Sequence, residues 1–135
     1  RHQDLHEAAP AEKVLPELAE YLKGHTIIAH AHWVEEAFLS KRLSKYGYKY
    51  PKRVIDTAAL ARYLGVASYK DGYEPSLEFL AREFKLPVYT PHHALGDAMT
   101  TATLFLALAN RIERTLKESS GEVLTLNKLL TLSRN

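Results

Sequence analysis

The chain has 135 residues, 46% of them hydrophobic and 25% charged, which is enough apolar material for one ordinary core and too little chain for two domains. Its 18 basic and 16 acidic side chains leave a formal charge of only +2, which excludes a chain-wide polycation and throws any nucleic-acid role onto local clustering. Cysteine is absent, which excludes disulfides and thiolate metal sites; no apolar run of roughly 18 residues and no secretory leader occurs, so the expected location is cytoplasmic.

The polar opening from Arg1 to Glu7 starts without methionine and reads as the interior of a longer protein. Ala9-Pro10-Ala11 then sets up a helix with proline in its first turn. Val14, Leu15, Leu18, Tyr21 and Leu22 follow at helical spacing until Gly24 stops it. His25 to Ala29 is short, β-branched and preceded by glycine, the pattern of a buried strand in a parallel sheet. From Trp33, the residues Val34, Ala37 and Phe38, with Leu39 and Leu43 on the adjoining stripe, predict a half-buried helix ending near Gly47. Arg53-Val54-Ile55 reads as a second strand, and Thr57 to Leu64 as a helix closed by Gly65, with Asp56 as its cap.

Ser76 is the expected N-cap of a helix carrying Leu77, Phe79, Leu80 and Phe84. Thr90-Pro91 breaks the chain, and Ala94 to about Glu118 is the longest predicted helix, dense in Ala, Leu, Met and Phe. The tail from Gly121 fits a short helix or a strand, and is read as helix. Strands alternating with helices of these lengths imply an α/β layer structure with a mostly parallel sheet, and no internal repeat appears.

The chemistry concentrates at two junctions. His92 and Asp97 flank a helix start after Pro91; on one continuous helix they would stand about 140° apart, too far around to share a site. With His92 in the entering loop and Asp97 in the first turn, the imidazole reaches the cavity that the carboxylate faces. Taken alone, the pair also fits a plain helix start, with Asp97 at the positive end of the dipole. At the other junction Glu35 lies in the first turn of a helix after a strand, where open α/β sheets place their sites, while Glu36 points elsewhere.

Together these segments resemble the second and third motifs of the DEDDh, or DnaQ-like, 3′–5′ exonucleases. The stretch Val54-Ile55-Asp56-Thr57-Ala58-Ala59-Leu60-Ala61-Arg62 is similar to that family's I-D-T-x-x-L-A-R run, Ser76 to Ala81 to its S-L-x-x-L-A helix, and Leu5 to Lys23 to its helix before motif two. The resemblance covers nearly the whole chain in order. It implies a ribonuclease H-like three-layer fold, with Asp97 a metal ligand and His92, rather than His93, the general base. Glu35 stands where the family's H-N-x-x-F-D motif has aspartate, so it is the second implied metal ligand; Ala31 replaces the asparagine and Val34 the phenylalanine. His30 and Ala31 are the implied substrate-binding positions.

The implied reaction is phosphodiester hydrolysis at a nucleic-acid 3′ end, releasing nucleoside monophosphates in proofreading or in DNA or RNA trimming. Two magnesium or manganese ions, roughly 3.5–4 Å apart between carboxylates, would supply most of the activation, and a histidine near neutrality accepts the proton of water. The implied partners are a single-stranded 3′ end, DNA before RNA, and a DNA polymerase. The family's opening D-x-E motif has no counterpart; the acids Asp4 and Glu7 do not form one. The first strands are therefore expected ahead of Arg1, making residues 1–135 a single, N-terminally incomplete domain that is inactive by itself. The competing expectation is an inactive exonuclease-like module that binds nucleic acid or a polymerase.

Two other features stand apart. Six basic residues and no acid lie between Lys41 and Arg53, interleaved with Tyr46, Tyr48 and Tyr50. They fit either a nucleic-acid surface with stacking rings or a solvated helix end and loop. His25, His30 and His32 suggest a transition-metal site because His30 and His32 are two apart, but that pair lacks a third ligand at convincing spacing, and the three read as core or site-lining residues.

Overall fold

The computed structural model describes residues 11–31, 33–66 and 74–134, with the side chains of Ala11, Glu12, Val34 and Glu35 outside that description. Two compact units are formed, one from Arg1–Thr26 with Trp33–Lys52, the other from Ile27–His32 with Arg53–Asn135. The expected helix start at Pro10, the acids Asp4 and Glu7, and His32 lie outside the described residues.

The first unit pairs α1 (Ala11–Leu22) with α2 (Trp33–Ser44). Its core is Leu15, Ala19 and Leu43, joined by the partly buried Leu18, Leu39, Tyr46, Tyr48 and Tyr50. Burial here departs from the sequence expectation at both helices. On α1, Val14 and Tyr21 face out, and the Tyr21 ring stacks on that of His25 at 5.5 Å. On α2, Ala37 and Phe38 are exposed and the adjoining Leu39–Leu43 stripe carries the packing. The physical reason is width: each helix meets one neighbour within the unit, so only a narrow stripe is covered and the rest of a broad apolar face stays wet. Gly24 and Gly47, at φ +74° and +81°, supply the left-handed residues that end the two helices.

The second unit is the mixed α/β part. β1 (Ile27–Ala29) and β2 (Val54–Asp56) pair in parallel, with Ile28 opposite Ile55. They are followed by α3 (Thr57–Tyr63), α4 (Leu77–Glu83), α5 (Ala94–Ser119) and α6 (Leu126–Ser133). The tail is thus helical, with Thr125 accepting the Lys128 N–H as cap. Ser76 caps α4 by accepting the Phe79 N–H at 3.0 Å, as its sequence context requires.

β2 is buried throughout, whereas Ile28 of β1 is 38% exposed and its neighbours are half-buried, which corrects the expectation of a buried first strand. Among the described residues the sheet has only these two strands, so β1 has a partner on one edge alone. The core assembles around α5, whose Leu104, Leu108, Ile112 and Leu116 recur every fourth residue against α3 and α4. Leu129, Leu130 and Leu132 of α6 close it over α3 and β2. Among the described residues no helix is long and apolar enough to cross a membrane.

Candidate functional site

The start of α5 is fixed by a close backbone approach. A Cβ built on Gly96 would lie 2.3 Å from the Thr90 carbonyl oxygen, so only glycine lets the first helical turn sit on the preceding loop. The Thr100 hydroxyl donates to the Gly96 carbonyl at 2.9 Å and accepts the Tyr89 N–H at 3.1 Å, stitching helix to loop a second time. Between these clamps the chain turns through His92, whose φ of +64° lies in the left-handed region that costs most side chains free energy. The His92 N–H is held by an oxygen of Asp97 at 3.2 Å.

His92 is therefore in the loop and Asp97 in the first turn of α5. Both line one cavity of about 150 Å³, with Ser76 and Glu78 from the start of α4 and Thr100 from α5 among its other walls. That is smaller than the roughly 300–1,000 Å³ of a typical enclosed small-molecule site, and suits one end of a larger substrate better than a swallowed ligand. The His92 imidazole is exposed and makes no hydrogen bond among the described residues, so both ring nitrogens are available to a reacting group.

Glu78 was not singled out from the sequence. Its carboxylate accepts from Arg82 at 2.6 Å one helical turn on, and an i, i+4 pair of that kind reads as an ordinary solvated face. Only the fold shows that the same residue borders the cavity of His92 and Asp97.

A second corner follows β1. His30 is held at both ring nitrogens, Nδ1 by the Thr57 hydroxyl at 2.9 Å and Nε2 by the Pro75 carbonyl at 2.6 Å. Ala31, at φ +53°, donates its N–H to Asp56 at 2.8 Å. The same Asp56 oxygen caps α3 by accepting the Ala58 N–H at 2.9 Å, and the Asp56 N–H is taken by the Ser133 hydroxyl at 2.8 Å. The capping role expected of Asp56 is what the structure has. Glu35 belongs to the first unit, in the first turn of α2, and its side chain is outside the described residues.

Comparison with known proteins adds the family. A family model described as an exonuclease, RNase T, matches residues 1–105. The chain belongs to the DnaQ-like exonuclease family. Over 112 residues it is 30% identical to a PolC-type DNA polymerase III of Caldanaerobacter subterraneus, covering 83% of this chain and 8% of that protein. It is also 31% identical over 108 residues to the 3′-5′ exonuclease DinG of Bacillus subtilis, covering 78% of the chain and 11% of the relative. The epsilon subunit of DNA polymerase III from Aquifex aeolicus is 29% identical over 121 residues, 87% of the chain and 56% of the subunit. The chain thus spans a small part of the PolC-type and DinG relatives and about half of the epsilon subunit. No solved structure matches.

Exonucleases of this family generally use divalent metal ions, and the donor chemistry of the cavity can be tested against that. Its acids, Asp97 and Glu78, offer hard carboxylate oxygens of the kind magnesium and manganese take. Among the described residues, however, no three His, Asp or Glu side chains converge to hold an ion. The residues fit one part of a coordination shell and do not complete it.

Proposed function

We propose that this chain is the catalytic part of a metal-dependent 3′–5′ exonuclease that hydrolyses the terminal phosphodiester of a nucleic-acid strand and releases nucleoside monophosphates. The observation that carries the reading is the meeting of an imidazole with no hydrogen bond among the described residues, His92, and a carboxylate, Asp97, on one cavity at the start of α5, in a chain of exonuclease family. The ribonuclease H-like three-layer arrangement is the fold that this reading takes.

Asp97 and Glu35 would hold two magnesium or manganese ions, whose chemistry when bound is to polarise the phosphate and sharpen the attacking water. His92 accepts the proton of that water at a ring nitrogen. The backbone bond from His92 to Asp97 fixes the loop that carries the imidazole, so base and carboxylate are oriented as one unit. His30 and Ala31 border the terminal nucleotide from the end of β1. Since both His30 nitrogens are engaged internally, His30 acts through the position and shape of its ring. The reading takes a single strand as substrate and a cytoplasmic location; that relatives are named as DNA polymerase III supports DNA before RNA and a DNA polymerase as partner.

The test is release from a 3′-terminal single strand by the full-length protein. Mononucleotides are expected in magnesium or manganese, and none in excess chelator, with restoration when the ion is returned. Release that persists in chelator, or internal cleavage, would overturn the reading. Binding of the strand without any release would favour the inactive nucleic-acid or polymerase-binding module instead.

A further inference from the structure

The positive excess of the chain is concentrated in one place. Six of its 18 basic residues lie between Lys41 and Arg53, where no acid occurs, and the remaining chain has 12 basic residues against 16 acidic ones. Five of the six, Lys41, Arg42, Lys45, Lys49 and Lys52, belong to the first unit and all are exposed. Among the described residues none of the four lysines is in an ion pair. A helix C-terminus accounts for Lys41 and Arg42, which sit in the last turn of α2 where the dipole favours cations. It does not account for Lys45, Lys49 and Lys52, which lie beyond the helix.

The backbone beyond α2 is tightly fixed. The Leu43 carbonyl accepts the N–H groups of both Tyr46 and Tyr48 at 3.0 Å, and Gly47 turns the chain at φ +81°. From there exposure alternates: Tyr46, Tyr48 and Tyr50 turn inward onto Leu15, Ala19 and Leu43, while Lys45 and Lys49 turn out. The tyrosines are thus spent on packing the unit and are not a stacking platform, and the charge on the outer side is that of the lysines beside them. Arg42 is likewise held, its guanidinium 4.5 Å over the Phe38 ring.

We propose that this face, Lys41, Arg42, Lys45, Lys49 and Lys52, is a contact surface for the phosphate backbone of a single-stranded nucleic acid, binding by charge and without base stacking or sequence preference. The choice of polyanion rests on the exonuclease reading; the surface itself rests on charge and burial. These lysines share no residue with the cavity lined by His92 and Asp97, so strand affinity and cleavage chemistry are separable by substitution.

The experiment uses full-length protein, a fluorescently labelled oligothymidylate and excess chelator, with anisotropy followed across a salt titration. Replacing two outward lysines, Lys45→Gln with Lys49→Gln, is expected to weaken binding at least about tenfold at low salt and to lower the slope of log affinity against log salt by about 1.4, at about 0.7 per phosphate contact on single strands. Unchanged affinity and slope would overturn the proposal. Hydrolysis of a p-nitrophenyl ester of thymidine 5′-monophosphate, a substrate with one phosphate and no strand, measured in manganese without chelator, is expected to proceed at the same rate in the variant. A wild-type protein unable to hydrolyse the ester would sink the exonuclease reading and leave the anisotropy result to decide the surface.

Discussion

The corners at Ala31 and His92 are built by the same device and put to different use. In each, a non-glycine residue adopts a left-handed backbone, φ +53° and +64°, and its N–H is held by an aspartate, Asp56 at 2.8 Å and Asp97 at 3.2 Å. In each, a histidine stands at or beside the turn. At the first corner the aspartate is 3% exposed, shares one oxygen between two backbone donors, and the histidine is bonded at both nitrogens. At the second, the aspartate is half-exposed on a cavity and the imidazole has no hydrogen bond among the described residues. A carboxylate saturated by the protein's own donors is used up in holding the fold, and one that keeps lone pairs toward an open space can hold a substrate or an ion. The contrast separates two aspartates and two histidines that look alike in the sequence.

Substitutions at three positions press on that contrast. The largest effect is expected from Asp97→Asn, which keeps an oxygen to accept the His92 N–H but removes the charge. Steady-state release of mononucleotides by the full-length protein should fall by at least about 100-fold, the loss of several kcal/mol of charge stabilisation. Stability in urea should stay within about 0.5 kcal/mol. An active Asp97→Asn protein would mean that Asp97 is as structural as Asp56. Next comes Gly96→Ala, whose methyl group would run into the Thr90 carbonyl. The loop must shift, at a cost of about 1–3 kcal/mol, and activity should drop with it because the displaced loop carries His92. Full activity and an unchanged melting temperature would show that the close approach is dispensable.

The smallest effect on chemistry, and a clear one on stability, is expected at the other corner. Asp56→Ala leaves the N–H groups of Ala31 and Ala58 without their partner, a loss of about 1–3 kcal/mol by denaturant unfolding, while Asp56→Asn should recover part of it through its remaining carbonyl oxygen. Residual activity should follow the folded fraction. If Asp56→Asn folded normally and lost cleavage, Asp56 would belong with Asp97.

Much of this was legible in the sequence, and the failures share a cause. Helix ends were marked by local chemistry, glycine after α1 and α3, Ser76 before α4, Asp56 before α3, and the structure has each of them. The spacing of His92 and Asp97 about Pro91 identified a loop and a first turn. What sequence could not give was the neighbour that each face meets. Val14 and Phe38 read as core because they are apolar at helical spacing, yet both face outward. Glu78 read as surface because Arg82 stands one turn on, although it borders the cavity. The tyrosines at 46, 48 and 50 were open to stacking or packing until their contacts with Leu15, Ala19 and Leu43 decided for packing. Local signals are carried by adjacent residues; burial depends on partners far along the chain.

The central claim is that His92 is a base held ready by the fold without being part of what holds it. The most direct measurement compares wild type with His92→Ala in the full-length protein, following single-turnover mononucleotide release from a 3′ single strand alongside thermal unfolding. The account predicts a rate lower by about 10²–10⁴-fold, the usual worth of a positioned general base, with a melting temperature within a few degrees of wild type. Full release rate in a folded His92→Ala protein would contradict it.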